Sequence, residues 1–143
     1  MKWIVRGVIV LFAALAAIQL VPVERANPPV ESDIAASDEV KRILRRSCYD
    51  CHSNETRWPW YARVAPVSWL ISHDVKEGRQ ELNFSVWNQF TGGRRARKFK
   101  EIVDQVEQEK MPQWYYVLLH SDAKLSPADK VTIVNWAKQA LAS

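Results

Sequence analysis

A chain of 143 residues with an apolar N-terminal stretch has room for one globular domain of roughly 100 to 120 residues, which excludes a second domain of ordinary size. The formal charge of +4 falls to about +2 once Lys2 and Arg6, which precede the apolar stretch, are set aside. So small an excess argues against a nucleic-acid partner. Few glycines and many Ala, Lys, Arg, Glu and Gln favour an all-α domain.

The N-terminal stretch is uncharged over residues 7–21 and ends at Pro22. Basic residues followed by such a run are typical of an export signal or a membrane anchor. As a helix the run is about 22 Å long, short of a hydrocarbon core of about 30 Å unless its flanks join it, so length leaves both readings open. Cleavage after Ala16 would leave an apolar new terminus, which favours an uncleaved anchor. We interpret residues 1–23 as a signal or anchor and 24–36 as a linker. Residues 37–143 then form the domain, on the side of the membrane away from the cytoplasm.

Helix signals recur along the domain. Ser37 predicts an N-cap for a helix that runs to Arg46, because Val40, Ile43 and Leu44 repeat at helical spacing. Ser126 and Pro127 predict the start of the last helix. The remaining predictions are an irregular aromatic loop over 57–66, a helix over 67–78, a short mixed segment over 83–89, a helix from Gly93 to Lys110, and a loop over 111–124.

The chemistry is carried by Cys48, Cys51 and His52, two thiols three positions apart with an imidazole directly after the second. This is the pattern for attachment of c-type haem. The thiols are suited to add to the two vinyl groups on one haem edge, and the adjoining turn brings the imidazole to the iron. The sequence therefore predicts one covalent haem c, with His52 as an iron ligand.

Other readings of the two thiols explain less. A zinc site needs four ligands, and the other two would come from His52, His73, His120 or carboxylates without recognisable spacing. A thioredoxin-like dithiol requires a βαβ context that the helical pattern does not supply. A structural disulfide leaves the adjacent histidine unexplained.

A resemblance to a known family lies in three stretches: Cys48 to Trp69 (CYDCHSNETRWPWYARVAPVSW), Leu82 to Ser85 (LNFS) and Met111 to Ser126 (MPQWYYVLLHSDAKLS). They resemble the haem-binding domain of small bacterial c-type cytochromes with one N-terminal apolar segment. The resemblance implies a haem-binding protein that is membrane-associated or periplasmic. One departure is Gln113, where this family often has a second proline after the methionine.

The second iron ligand separates an electron carrier from an enzyme, and Met111, His73 and His120 are the candidates. Met111 precedes a proline at the end of a predicted helix, so we predict that it is the ligand rather than core filler. His73 is expected on a helix surface, and His120 in a loop near the haem edge. For His52 we expect its other ring nitrogen to bond a carbonyl in the 57–60 loop.

The sequence also offers candidates for the pocket itself. Arg57 and Arg63 are possible partners of the haem propionates, with solvent exposure as the alternative. Four tryptophans are candidates for the pocket wall, against ordinary core packing: Trp58, Trp60, Trp69 and Trp114.

Three functions fit these features. The first is a one-electron carrier ligated by His52 and Met111, not an enzyme, with redox proteins as partners and the membrane contacted through the N-terminal segment. The second is a peroxidase-like enzyme with an open iron position, in which His73 or His120 supplies the distal imidazole. The third is a haem-based sensor whose Met111 bond yields to a gas.

Overall fold

The structure is a computed structural model that describes residues 1–142. It confirms the all-α prediction, because those residues form helices and contain no strand beyond one isolated bridge between Ser32 and Val86. The α-helices are α1 (Lys2–Ile18), α2 (Asp38–Ser47), α3 (Tyr49–His52), α4 (Val67–Glu81), α5 (Gly92–Glu107), α6 (Trp114–Leu119) and α7 (Pro127–Ala142). Single 3-10 turns lie at Trp60–Arg63, Trp87–Gln89 and Ser121–Ala123.

The N-terminal helix begins before the uncharged run and ends before that run does. Helix α1 has 17 residues and ends at Ile18, whereas the uncharged run continues to Val21. The next residue after Ile18, Gln19, forms hydrogen bonds with the domain. The Gln19 Nε2 donates to Ala65 O at 3.1 Å, and the Gln19 Oε1 accepts from Ala65 N at 2.9 Å. Within residues 1–142, no helix has both the length and the apolar character needed to cross a membrane. The expected membrane-spanning helix is therefore not found.

The stretch that we expected to be a linker, residues 24–36, lies against the domain. Ile34 is fully buried in the core, and Ser85 O accepts the backbone N–H groups of Glu31 and Ser32. The side chain of Asn27 donates to Thr56 O at 2.9 Å. Polar side chains thus hold a segment whose prolines prevent it from forming a helix.

Arg79 on α4 connects this segment to the motif region. Its guanidinium donates to Ala26 O and Ser53 O at 2.8 Å, and to Asn27 Oδ1 and Thr56 Oγ1 at 2.8 and 2.9 Å. Hydrogen bonds to charged groups are among the stronger ones in proteins, so these contacts fix the segment over the end of α3.

Replacing this guanidinium is expected to destabilise the protein. Arg79→Met retains most of the side-chain length but removes four donated hydrogen bonds, and should lower the free energy of unfolding by about 2 to 4 kcal/mol. Urea unfolding of the haem-loaded protein measures it. Arg97→Met is the control, because Arg97 is exposed and pairs only loosely with Glu101 at 3.8 Å. A loss below about 0.5 kcal/mol for Arg79→Met, the range of surface substitutions, would contradict the assigned role.

The core lies between α2, α5 and α7. Ser37 caps α2 as predicted, accepting from Val40 N, and Val40, Ile43 and Leu44 are buried. Helices α5 and α7 pack closely, with the rings of Phe99 and Trp136 edge to face at 5.4 Å. Burial of one face of each helix supplies the driving force for this arrangement.

Two predicted element boundaries were wrong. Helix α4 does not end at Gly78 but continues to Glu81, and part of the predicted loop over 111–124 is helix α6. Helix α6 has only six residues, all of them apolar or aromatic, so its sequence lacks the apolar–polar periodicity by which a helix is recognised. It lies over the region next to α3 and α4 where the site is found.

Candidate functional site

The imidazole of His52 is held by the C-terminal part of α4. Its Nδ1 lies 2.9 Å from Gly78 O and 3.1 Å from Leu82 O. Carbonyl oxygens only accept hydrogen bonds, so Nδ1 carries the hydrogen and Nε2 keeps its lone pair for a metal. Burial lowers the pKa of His52, which favours the neutral ring that metal binding requires. The prediction of a backbone carbonyl partner was correct in kind, but the two carbonyls belong to Gly78 in α4 and to Leu82 directly after it, and not to the 57–60 loop.

Gly78 allows α3 and α4 to approach this closely. A Cβ at Gly78 would lie 2.6 Å from Cys51 O and 3.1 Å from the Cys51 Cβ. Any other residue would push the two helices apart, since real Cβ atoms do not approach an oxygen so closely. Gly78 therefore allows Cys51 to lie against α4, and its own carbonyl oxygen orients His52.

Both motif thiols are free and face the same cavity as His52. Burial raises the pKa of Cys48 to about 12, with the neighbouring Cys51 thiol adding to it. Burial also raises the pKa of Cys51 to about 12, with Asp74 and Asp50 contributing. A redox dithiol requires a lowered pKa and a reactive thiolate, so these surroundings argue against that reading.

The cavity has a volume of about 400 Å³, within the range of cofactor sites. Met111 lines it together with Cys48, Cys51 and His52, so the four residues predicted to form the site are brought together. Apolar side chains complete much of the lining, chiefly Leu44, Ile71, Val75, Leu82, Phe84, Ile102, Val106, Leu125 and Ile133.

The three histidines are separated as expected. His73 is 61% exposed, pairs with Glu77 and does not line the cavity. His120 lines the cavity; its Nε2 and the Tyr61 hydroxyl form a hydrogen bond, and its ring stacks on Tyr116 with centroids 4.4 Å apart. Of the two histidine candidates for the second iron ligand, His120 therefore lies at the cavity with Met111, and His73 does not.

The predicted tryptophan wall was wrong. Trp60 is 77% exposed and Trp114 is 72% exposed, and neither these two nor Trp58 and Trp69 line the cavity. The wall is built from other aromatic residues, namely Tyr61, Phe84, Tyr115 and Tyr116. Three of them carry a hydroxyl that reaches a polar partner, which composition alone does not reveal.

Of the two arginines predicted as propionate partners, one lies at the cavity and the other does not. Arg57 lies at the cavity, where its side chain donates to both carboxylate oxygens of Asp50, at 3.3 Å from Nε and 3.2 Å from Nη2. Arg63 is exposed and does not line the cavity. The only predicted propionate partner placed at the site is therefore already paired with a carboxylate.

The residues present fit a haem better than a zinc ion. Among residues 1–142, no group of three or more His, Cys, Asp and Glu side chains is placed to hold a metal ion. A haem iron needs only axial ligands, and an apolar cavity with one free imidazole nitrogen supplies one. In addition, Ser47 Oγ is buried in the cavity lining and has no hydrogen-bond partner among the described residues. Such an unpaired group is expected where a polar ligand atom normally lies.

The fold and site define a small helical protein with a largely apolar cavity that presents an oriented imidazole to a cofactor. Comparison with models of protein families matches residues 13–139 to the haem-binding domain family. The chain belongs to this family and is a haem-binding protein, as the resemblance in its sequence predicted. No curated protein and no solved structure was found to match it.

Proposed function

We propose that the chain is a c-type cytochrome: it holds one haem through Cys48 and Cys51, ligates its iron through His52 and Met111, and carries single electrons outside the cytoplasm. The observation that carries this proposal is the geometry of His52, whose Nδ1 bonds to two carbonyls and leaves Nε2 for the iron, in a cavity that both thiols line.

Covalent attachment follows from the chemistry of the motif. Each thiol S–H adds across one vinyl group, so that a C–S bond forms at Cys48 or Cys51 and the thiol hydrogen passes to the other vinyl carbon. No oxidant or reductant is consumed. Both cysteines line the largely apolar cavity, so the resulting thioethers would lie against apolar side chains.

The electron-carrier role depends on Met111. When bound, haem supplies an iron that cycles between the ferric and ferrous states. A thioether ligand favours the ferrous state and raises the potential, and a site filled on both faces exchanges electrons without binding substrate. Met111 follows the end of α5 at Glu107 by four residues, and its backbone N–H donates to Gln105 O on that helix at 3.3 Å.

The location outside the cytoplasm is supported by the sequence. Lys2 and Arg6 before an uncharged run are typical of exported proteins. We propose redox proteins as partners there, since the role as carrier requires a donor and an acceptor. Separation of periplasmic, membrane and cytoplasmic fractions of the producing cells tests the location; haem-loaded protein in the cytoplasm would contradict it.

An open-site haem enzyme is the second candidate function, and His120 favours it. This imidazole lines the cavity beside Tyr61, as a distal acid or base must do. If Met111 only fills space, the iron would keep one free position for peroxide or a gas. The two functions differ in one observable, whether the sixth position is filled.

Absorption spectra of the haem-loaded protein decide between them. A carrier should show low-spin bands in both oxidation states, a weak far-red sulfur-to-iron band when ferric, and slow reaction with carbon monoxide. We expect Met111→Ala to keep the haem attached, lose the far-red band and bind carbon monoxide readily. His73→Ala is the control, because His73 is exposed and does not line the cavity, and it should retain the low-spin spectrum.

Two other spectroscopic results would contradict ligation by Met111 or the carrier role. If Met111→Ala leaves the spectrum unchanged while His120→Ala makes it high-spin, His120 is the ligand. If the unmodified protein is already high-spin and binds carbon monoxide readily, the enzyme or sensor reading replaces the carrier.

A further inference from the structure

The segment that carries Met111 is poorly anchored by apolar contacts. We call residues 111–120 the Met111 segment; it contains α6, none of whose residues is buried. Trp114, Leu118 and Leu119 expose 66 to 72% of their surface. Burial of apolar area therefore contributes little to holding this segment over the cavity.

Hydrogen bonds from tyrosines hold it instead. The Tyr115 hydroxyl donates to Asp74 Oδ2 on α4 at 3.0 Å, and the Tyr116 hydroxyl donates to Asp50 Oδ2 on α3 at 2.7 Å. At the end of the segment, His120 bonds to Tyr61 in the 3-10 turn. The segment is thus attached to three separate elements, each of which also lines the cavity.

Asp50 joins this attachment to the haem-binding motif. It lies between the two cysteines, and besides the Tyr116 hydroxyl it accepts the Arg57 backbone N–H at 3.0 Å and the Arg57 guanidinium. Its carboxylate is consequently held in one orientation by several donors. A hydroxyl that bonds to a carboxylate fixed in this way is positioned more firmly than one that bonds to a free side chain.

We propose that Asp50 and Asp74 are positioning residues that, through Tyr116 and Tyr115, hold the Met111 segment closed and keep the Met111 sulfur in the cavity. This inference rests on the proposed function, because it assigns the two carboxylates to the maintenance of the second axial ligand. It gives a reason for an aspartate between the two thiols and for two adjacent tyrosines in α6.

Removal of the two hydroxyls tests the proposal in the haem-loaded, full-length protein. Tyr115→Phe and Tyr116→Phe keep the rings and delete only the donors. Carbon monoxide binds only when the sulfur has left, so its binding rate reports the open fraction of the segment. We expect an increase of about 10-fold or more for each variant and about 100-fold for the double variant, with haem still attached. Hydrogen exchange of the amides over 113–120 should accelerate in parallel.

Tyr49→Phe is the matched control. Tyr49 also donates to a carboxylate, that of Asp33, but lies outside the Met111 segment and does not line the cavity. It should lower stability without changing the carbon monoxide rate or the exchange over 113–120. Equal acceleration in Tyr49→Phe would show general loosening and overturn the proposal.

The remaining outcomes separate this proposal from the function on which it rests. Wild-type exchange over 113–120 in the double variant overturns the proposal, whichever residue ligates the iron. Faster exchange with an unchanged carbon monoxide rate also overturns it, because the segment then opens without releasing the ligand. By contrast, an unchanged spectrum in Met111→Ala rejects Met111 as ligand, while the exchange measurement still decides whether the tyrosines hold the segment.

Discussion

Cys48→Ser together with Cys51→Ser is expected to abolish covalent haem. A serine hydroxyl is far less nucleophilic than a thiol and does not add to a vinyl group, so neither thioether can form. Mass spectrometry of the denatured protein should show the bare chain, and acid acetone should extract all haem from the purified sample. The unmodified protein should carry the mass of one haem and no free thiol.

The single variants and a neighbouring serine sharpen this test. Each single cysteine variant keeps one sulfur in the cavity and should retain haem through one thioether, at lower yield. Ser47→Ala is the control, because Ser47 lies beside Cys48 in the cavity lining and its hydroxyl has no protein partner to lose. Haem that resists extraction from the double variant, or a wild-type chain with two free thiols, would refute covalent attachment.

Haem binding was predictable because its signal lies in one short stretch of sequence. Two thiols and an imidazole within five residues indicate a haem without knowledge of the fold, and the structure places them in one cavity together with Met111. The helix caps were predictable for the same reason: Ser37 and Ser126 act on residues three positions away. Local patterns lead to reliable predictions where the interaction itself is local.

The surroundings of the site were less predictable because they depend on distant residues. The carbonyls that orient His52 come from residues 26 and 30 positions further along the chain. Tryptophans were predicted for the wall because of their size, yet the large aromatic side chains that line the cavity are Phe84 and three tyrosines. The tyrosine hydroxyls form hydrogen bonds with Asp50, Asp74 and His120. Composition reports how much aromatic surface a chain has, but not which ring faces the cofactor.

Gly78 could be interpreted from the sequence either as the end of a helix or as a close packing contact inside one. A glycine near the end of an apolar pattern is commonly a helix end, which is how the sequence was interpreted. The structure shows instead a helix interior with Cys51 pressed against it. Glycine inside a helix is unfavourable by up to about 1 kcal/mol relative to alanine, so its presence there calls for a packing reason.

Gly78→Ala is therefore expected to disturb both stability and the haem site. The new methyl group would lie 2.6 Å from Cys51 O, a backbone atom that cannot rotate away, so α3 and α4 must separate. Overpacking of this kind should lower the free energy of unfolding by about 1 to 3 kcal/mol, despite the better helix propensity of alanine. Because Gly78 O also accepts from His52 Nδ1, the separation should weaken that bond and shift the reduction potential of the bound haem.

Gly93→Ala separates this effect from the intrinsic preference of alanine for helices. Gly93 is also helical, on α5, but a Cβ there meets nothing within 4 Å. Its replacement should leave stability unchanged or raise it by up to about 1 kcal/mol, with an unaltered potential. Urea unfolding and redox titration of both variants measure the difference. If Gly78→Ala behaves like Gly93→Ala in both measurements, then the close contact of α3 and α4 does not set the orientation of His52.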